Sequence, residues 1–361
     1  MLCLDGIHQF TQAGLDFCLI VFSFSFVVDD VLGMRPYSFL FGGLREWGSM
    51  KMILGIDLSS VRLAEKGKTM VAVLGETGTS LRLLSLFSLR DDRELVSLLK
   101  TCPFVICGVD APLSLPPCVL CTHFPCPCPF GRWTELLGFA PEMAYHYRIS
   151  DLVLRRSLPF VAPKPPLSNG GPVDITPLTM RWLRITRQLV AAGVPLQRII
   201  EVYGSGAIQL YAQYFQLAAE RIYHYRASEH NRRMLLEHVC EEGVLELTSV
   251  FRAELCENED AFDALFVALT SWHTFHDRSY TPDMLLSSEN KFLKEKGFWG
   301  KVCGEKEAMV QFLSKKQWSF LPDLVGGCVG DNLEKANENK NAQKMDMPGM
   351  DHAKEKCDKS E

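Results

Sequence analysis

The chain has 361 residues, 47% of them hydrophobic and 22% charged, with 38 basic against 43 acidic side chains. That is the profile of a soluble globular protein long enough to bury a core without staples. A formal charge of −5 excludes a coat of basic residues holding nucleic acid by bulk electrostatics, though not a local basic groove. The longest apolar run near the start, Phe17–Val28, is 12 residues long, against about 20 needed to cross a bilayer, and no Lys or Arg precedes it. Residues 1–51 therefore read as a poorly structured extension, with Met50 and Met52 available as starts. No membrane is expected as a partner, and the expected location is the cytoplasm. Residues 324–361 read as a disordered charged tail with too little apolar surface to offset ordering.

In chain order, Met52–Ser60 is an apolar strand that reaches an acid near its end. Thr69–Leu74 and Leu81–Leu89 are two further strands, and Glu76-Thr77-Gly78 between them reads as a hairpin turn. Asp92–Lys100 has helical spacing, with Leu95, Leu98 and Leu99 on one face. Phe104–Asp110 is a near-continuous apolar run, as in a strand buried on both faces. Residues 116–178, rich in Pro, Cys and Gly, read as an insertion of irregular structure. Thr179–Ala192 is helical, Arg198–Tyr203 is a short strand, and Ile208–Ala219, Asn231–Val239 and Asp260–Thr274 are helices. Trp318–Pro322 closes the series as a short strand. The fold class is α/β: a mixed sheet in β-β-β-α-β-α-β-α order with helices on both faces, over residues 52–323.

Acids stand on or at the ends of these apolar strands: Asp57 in ILGIDLSS, Asp110 in VICGVDAP and Glu201 in IIEVYG. Asp260 and Asp263 lie three apart on one helical face. Beyond the strand ends of an α/β sheet is where ligands bind, and carboxylates gathered there repel one another without a cation. Oxygen ligands of this kind suit Mg²⁺ or Mn²⁺, and two such ions about 4 Å apart would activate water against a phosphodiester. Each acid also has a structural reading: a strand-exit turn for Asp57 and Asp110, an N-cap for Asp260, a dipole contact for Asp263, and a pairing with Arg198 or Arg221 for Glu201.

A series of short motifs carries a resemblance. In order they are Gly55-Ile56-Asp57, Gly108-Val109-Asp110-Ala111-Pro112-Leu113-Ser114-Leu115-Pro116, Arg148-Ile149-Ser150-Asp151, Glu201-Val202-Tyr203 and Asp260-Ala261-Phe262-Asp263-Ala264-Leu265, with a late Gln317-Trp318-Ser319-Phe320-Leu321-Pro322. Together they resemble the family of predicted RNase H-like nucleases known as domain of unknown function four-two-nine, over roughly Met52 to Pro322. The resemblance implies an RNase H-like fold and a metal-dependent nuclease acting on a nucleic-acid phosphodiester. It also implies an acidic centre of Asp57, Asp110 and Asp263, with Asp260 and Glu201, holding Mg²⁺ or Mn²⁺. Arg148 and Asp151 match its Arg-x-x-acid motif and would face the same cleft toward substrate. Gly204 stands where the family usually has Pro, and Gln317 where it has Gly.

Cys118, Cys121, Cys126 and Cys128 follow the Asp110 strand closely. Four such thiolates suit a tetrahedral structural Zn²⁺, with His123 able to replace one; an iron–sulfur cluster and plain free cysteines are the alternatives. His273 and His276 lack the Glu of a zinc-protease helix. Arg181, Arg184 and Arg187 form a slanted row that reads as a solvated helix face, and Tyr223-His224-Tyr225-Arg226 is a weak single-strand-binding signal. Two rivals to the nuclease remain. One is a non-catalytic RNase H-like scaffold or binding protein with a structural zinc site. The other is a sugar-kinase or actin-like ATPase, which the lack of a second glycine-rich phosphate loop disfavours. Nothing in the sequence specifies a protein partner.

Overall fold

The computed structural model describes residues 50–59, 69–78, 80–122, 128–158, 163–167, 175–217, 224–314 and 318–324. Strand β1 (Lys51–Asp57) runs antiparallel to β2 (Thr69–Thr77), which runs antiparallel to β3 (Ser80–Leu89). The β2–β3 ladder closes at Thr77 and Ser80, and Gly78 turns it with φ +62°, a conformation other residues adopt at a cost. Helix α1 (Asp92–Thr101) starts on Asp91, whose Oδ1 accepts from the Arg93 and Glu94 amides at 2.8 and 2.9 Å.

Strand β4 (Phe104–Asp110) then adds parallel to β1, β5 (Ile199–Val202) parallel to β4, and the two-residue β6 (Ser319–Phe320) parallel to β5. The result is an α/β architecture built on a mixed six-stranded sheet ordered β3-β2-β1-β4-β5-β6. Both faces of β1 are buried, as its unbroken apolar run requires: Ile53 on one side, Leu54 and Ile56 on the other, all at 0% exposure.

The segment expected to be irregular is not wholly so. It holds helix α2 (Phe130–Leu136) and helix α3 (Ile149–Ser157). Both are short, of 7 and 9 residues, so the helical period is too brief to stand out from the Pro-rich composition around them. Helix α4 (Thr176–Ala191) follows, then α5 (Gly204–Tyr214), which begins directly after β5 and four residues before the expected start, on two glycines that mask its helical signal. Helices α6 (Glu229–Glu241) and α8 (Glu259–Phe275) fall close to expectation. Helix α7 (Ser249–Glu257), capped by Thr248, was not foreseen. Short helices α9 (Pro282–Leu285), α10 (Lys291–Glu295), α11 (Trp299–Val302) and α12 (Lys306–Leu313) precede β6.

The longest helix, α8, is the centre of the core. Ala261 to Ser271 are all buried, and Phe262, Leu265, Phe266 and Leu269 pack with Ile53, Ala72 and Leu74 of the sheet and with Ile208, Tyr211 and Leu236 of α5 and α6. Each such side chain taken out of water contributes about 1.5–3 kcal/mol before entropy is counted. No helix among the described residues is long and apolar enough to cross a membrane.

Candidate acidic centre

Glycines on two strands create the site. A Cβ on Gly55 would lie 2.2 Å from the Ala268 amide nitrogen and 2.3 Å from the Ala264 carbonyl oxygen; one on Gly108 would lie 2.2 Å from the Ser271 hydroxyl. Helix α8 therefore rests its backbone on β1 and β4, with small residues at the contact. Asp57 and Asp110 stand two residues beyond those glycines and so project from the same sheet face. They are also direct partners in the parallel β1–β4 register, which sets their Cα atoms roughly 5 Å apart. Asp263 lies one residue before Ala264 on the docked helix and is fully buried at 0% exposure.

Asp57 feels the charge of Asp263, Asp110 and Asp260. Burial pushes the Asp57 carboxyl well above the usual carboxylate range, and Asp263, Asp110 and Asp260 push it further, in that order. Asp110 is raised by burial, against the pull of Arg226, the Gly204 amide and Lys164; Glu201 adds a smaller upward push. Asp263 is raised to about 7, again chiefly by burial, with Arg226 and the Tyr225 hydroxyl opposing. Asp260 is raised by burial and by its neighbour Glu259, with Arg226 opposing. Three of the acids are thus crowded beyond what the local positive charge neutralises.

Two partners come from the turn before α6. The Tyr225 hydroxyl donates to Asp263 Oδ1 at 2.7 Å, and Arg226 Nη2 donates to Asp263 Oδ2. Arg226 Nε in turn donates to the Tyr225 hydroxyl at 3.2 Å. A third partner is Gly204, whose amide, at the first turn of α5, donates to Asp110. A Cβ there would lie 2.6 Å from Asp110 Oδ2, and a proline would have no N–H to give. Gly204 therefore supplies a contact of the acidic centre that neither a side-chain-bearing residue nor a proline would leave unchanged.

Glu201, Arg148 and Asp151 form a neighbouring network in which every carboxylate oxygen accepts a hydrogen bond. Arg148 Nη2 donates to Glu201 Oε1 at 2.6 Å and to Asp151 Oδ1 at 2.7 Å, its Nε donates to Asp151 Oδ2 at 3.0 Å, and its Nη1 donates to Glu201 Oε2. The Leu113 amide also donates to Glu201 Oε2, at 2.7 Å, and the Ser319 hydroxyl donates to Oε1. Arg148 and Asp151 are 3% and 2% exposed. Of the partners expected for Glu201, Arg198 donates to the Phe104 carbonyl at 3.1 Å and Arg221 lies outside the described residues; Arg148 is the partner found. Rather than lining an open wall, the Arg-x-x-acid motif ties α3, β5, β6 and the loop after β4 together.

The remaining sequence candidates separate cleanly. Cys118 and Cys121 sit on one 3₁₀ turn, with the Cys121 amide donating to the Cys118 carbonyl at 3.3 Å. Cys126 and His123 lie outside the described residues, and Cys128 is half-buried just before α2. Among the described residues, no group of three or more His, Cys, Asp or Glu side chains is arranged to hold a metal ion. His273 and His276 diverge. The first meets the Tyr211 hydroxyl at 2.8 Å and is held neutral, its pKa lowered to about 3 by burial; the second meets Glu76 at 2.5 Å. Arg184 and Arg187 are exposed, as a solvated face requires, whereas Arg181 is largely covered; Arg181 and Arg184 both bind Asp92, at 2.8 and 2.5 Å, and fasten α4 to the start of α1.

Tyr225 and Arg226 are the site residues that sequence reasoning undervalued. Their only signal was a mixed aromatic and basic tetrapeptide. No protein-family model, curated protein or solved structure matches the chain.

Proposed function

We propose that the chain is a metal-dependent nuclease of the RNase H-like type, hydrolysing a nucleic-acid phosphodiester. The observation that carries this reading is the convergence of Asp57, Asp110 and Asp263, with Asp260 beside them, where β1 and β4 end and α8 docks. The mixed six-stranded sheet, antiparallel through β3-β2-β1 and parallel through β1-β4-β5, is the α/β frame on which this reading rests.

The donor set fits a hard divalent cation in part. Asp57 and Asp110 are adjacent oxygen ligands, half-buried and mutually repelling, which is the chemistry Mg²⁺ or Mn²⁺ relieves. Asp263 has both oxygens engaged by Tyr225 and Arg226. When bound, such an ion lowers the pKa of water and stabilises the charge that develops on a phosphodiester. The chain's own part is to aim two carboxylates from rigid strand ends, to hold Asp110 through the Gly204 amide, and to fix α8 against the sheet through Gly55 and Gly108. Glu201, Arg148 and Asp151 brace the strand beside the site.

The test is cleavage of DNA, RNA and hybrid substrates with Mg²⁺, Mn²⁺ or EDTA. Asp57→Asn should lower the metal-dependent rate by at least about 100-fold. Equal trace activity in both proteins overturns the reading.

A second reading, a non-catalytic scaffold of the same fold acting inside the cell, is favoured by one feature: Asp263 is already neutralised from within by Arg226. In either reading Cys118 and Cys121, presented by one turn, are proposed as half of a structural Zn²⁺ site completed by Cys126 and Cys128. About one zinc per chain, with no calorimetric response to Mg²⁺ or Mn²⁺, selects the scaffold.

A further inference from the structure

The acidic centre already contains a cation of its own. Arg226 reaches Asp263 through Nη2 and the Tyr225 hydroxyl through Nε, and Tyr225 closes the triangle on the other oxygen of Asp263. Asp57, Asp110, Asp260 and Asp263 all feel its charge. The guanidinium side chain is nevertheless 47% exposed, and its bonds within the triangle use neither hydrogen of Nη1. It is thus both inside the cluster and open to what approaches it.

We infer that Arg226 serves as the fixed cation at the Asp263 end of the centre, so that the chain takes one divalent ion, on Asp57 and Asp110, where a two-ion site would take two. This rests on the nuclease reading and sharpens it. A second ion at Asp263 would have to displace two hydrogen-bond donors and sit against a positive guanidinium; both disfavour it. The planar fork of Arg226 also matches two oxygens of a phosphodiester, which a bare ion in its place would bind without that geometry. Arg226 is therefore a positioning residue: it sets ion stoichiometry and presents a donor toward substrate phosphate, while the chemistry of water activation belongs to the ion held by Asp57 and Asp110.

The experiment is Mn²⁺ binding to the full chain, followed by electron paramagnetic resonance and calorimetry, for wild type, Arg226→Ala, Arg226→Lys and Asp57→Asn. Wild type should bind one Mn²⁺, and Asp57→Asn should bind at least tenfold more weakly. Arg226→Ala should bind a second Mn²⁺, or bind the first at least tenfold more tightly. Arg226→Lys keeps the charge and should stay at one ion, while weakening single-stranded oligonucleotide binding in EDTA by a few fold. Circular dichroism identifies a variant that fails to fold; the wild-type count and Arg226→Lys then decide. Two ions in wild type overturn the inference and leave the nuclease reading standing. So does one ion with Arg226→Ala unchanged in both number and affinity. No Mn²⁺ bound by any of the proteins overturns the inference together with the nuclease reading.

Discussion

Two clusters of charged side chains lie on neighbouring strands and differ in how completely their carboxylate oxygens are hydrogen-bonded. Around Arg148, two carboxylates share one guanidinium, and all four carboxylate oxygens accept hydrogen bonds. Around Asp57, four carboxylates share the influence of one half-exposed guanidinium and their carboxyl pKa values rise, as burial also raises that of Asp151 in the first cluster. A buried charge that is fully paired braces a fold, whereas an unbalanced one costs stability and persists where the site has another task. By this criterion Glu201 goes with the brace, although it stands on a strand end like Asp110 and belongs to the same series of motifs.

The sharpest way to break the comparison is to remove the positive member of the fully hydrogen-bonded cluster. Arg148→Met leaves Glu201 and Asp151 buried without their cation and should cost about 3–5 kcal/mol. Urea denaturation at pH 7 measures it. A loss under about 1 kcal/mol would mean that water enters this network freely, and the contrast would fail.

The unbalanced cluster should respond in the other direction. Asp57 has its folded pKa raised, so the protonated form favours folding. Its contribution is present in full below the ordinary carboxylate pKa of about 4 and is lost as pH rises through the folded value. In EDTA, wild-type stability should therefore fall from pH 5 to pH 8, and Asp57→Asn should flatten that fall and be more stable at pH 8, by on the order of 1–3 kcal/mol. Adding Mg²⁺ at about 100 times its dissociation constant should restore about 2.7 kcal/mol to wild type and less to the variant. A wild-type profile that climbs from pH 5 to pH 8 would contradict the crowding.

How much of this was legible depended on the range of the interaction. Strands β1 and β4 and helix α8 announced themselves because their apolar runs and helical stripe are local patterns, and Asp57, Asp110 and Asp263 came with them. The convergence of those acids follows from Gly55 and Gly108, whose meaning depends on a helix more than 150 residues further on. Arg226 meets Asp263 across 37 residues and Arg148 meets Glu201 across 53, so no spacing rule links them. A buried carboxylate on its own strand reads alike whether its partner is a guanidinium or another acid. Charge balance is a property of the assembled neighbourhood.

A last test concerns Tyr225, which separates hydrogen bonding from charge at Asp263. Tyr225→Phe removes the neutral donor on Oδ1 and leaves Arg226 on Oδ2. The lost bond to a charged acceptor costs about 1.5–3 kcal/mol, less where the acceptor is protonated. Because Asp263 is raised to about 7, the cost should be largest at pH 8 and shrink toward pH 5, where the carboxyl is neutral and makes a weaker bond. Losing a donor to the ionised form also raises the Asp263 pKa further, so the midpoint of the stability–pH curve should move upward in the variant. Chemical denaturation at half-unit steps from pH 5 to pH 8.5 reads both effects. No cost at any pH would mean that Tyr225 contributes through its ring, which the variant keeps at 5.6 Å from Phe262, and not through its hydroxyl.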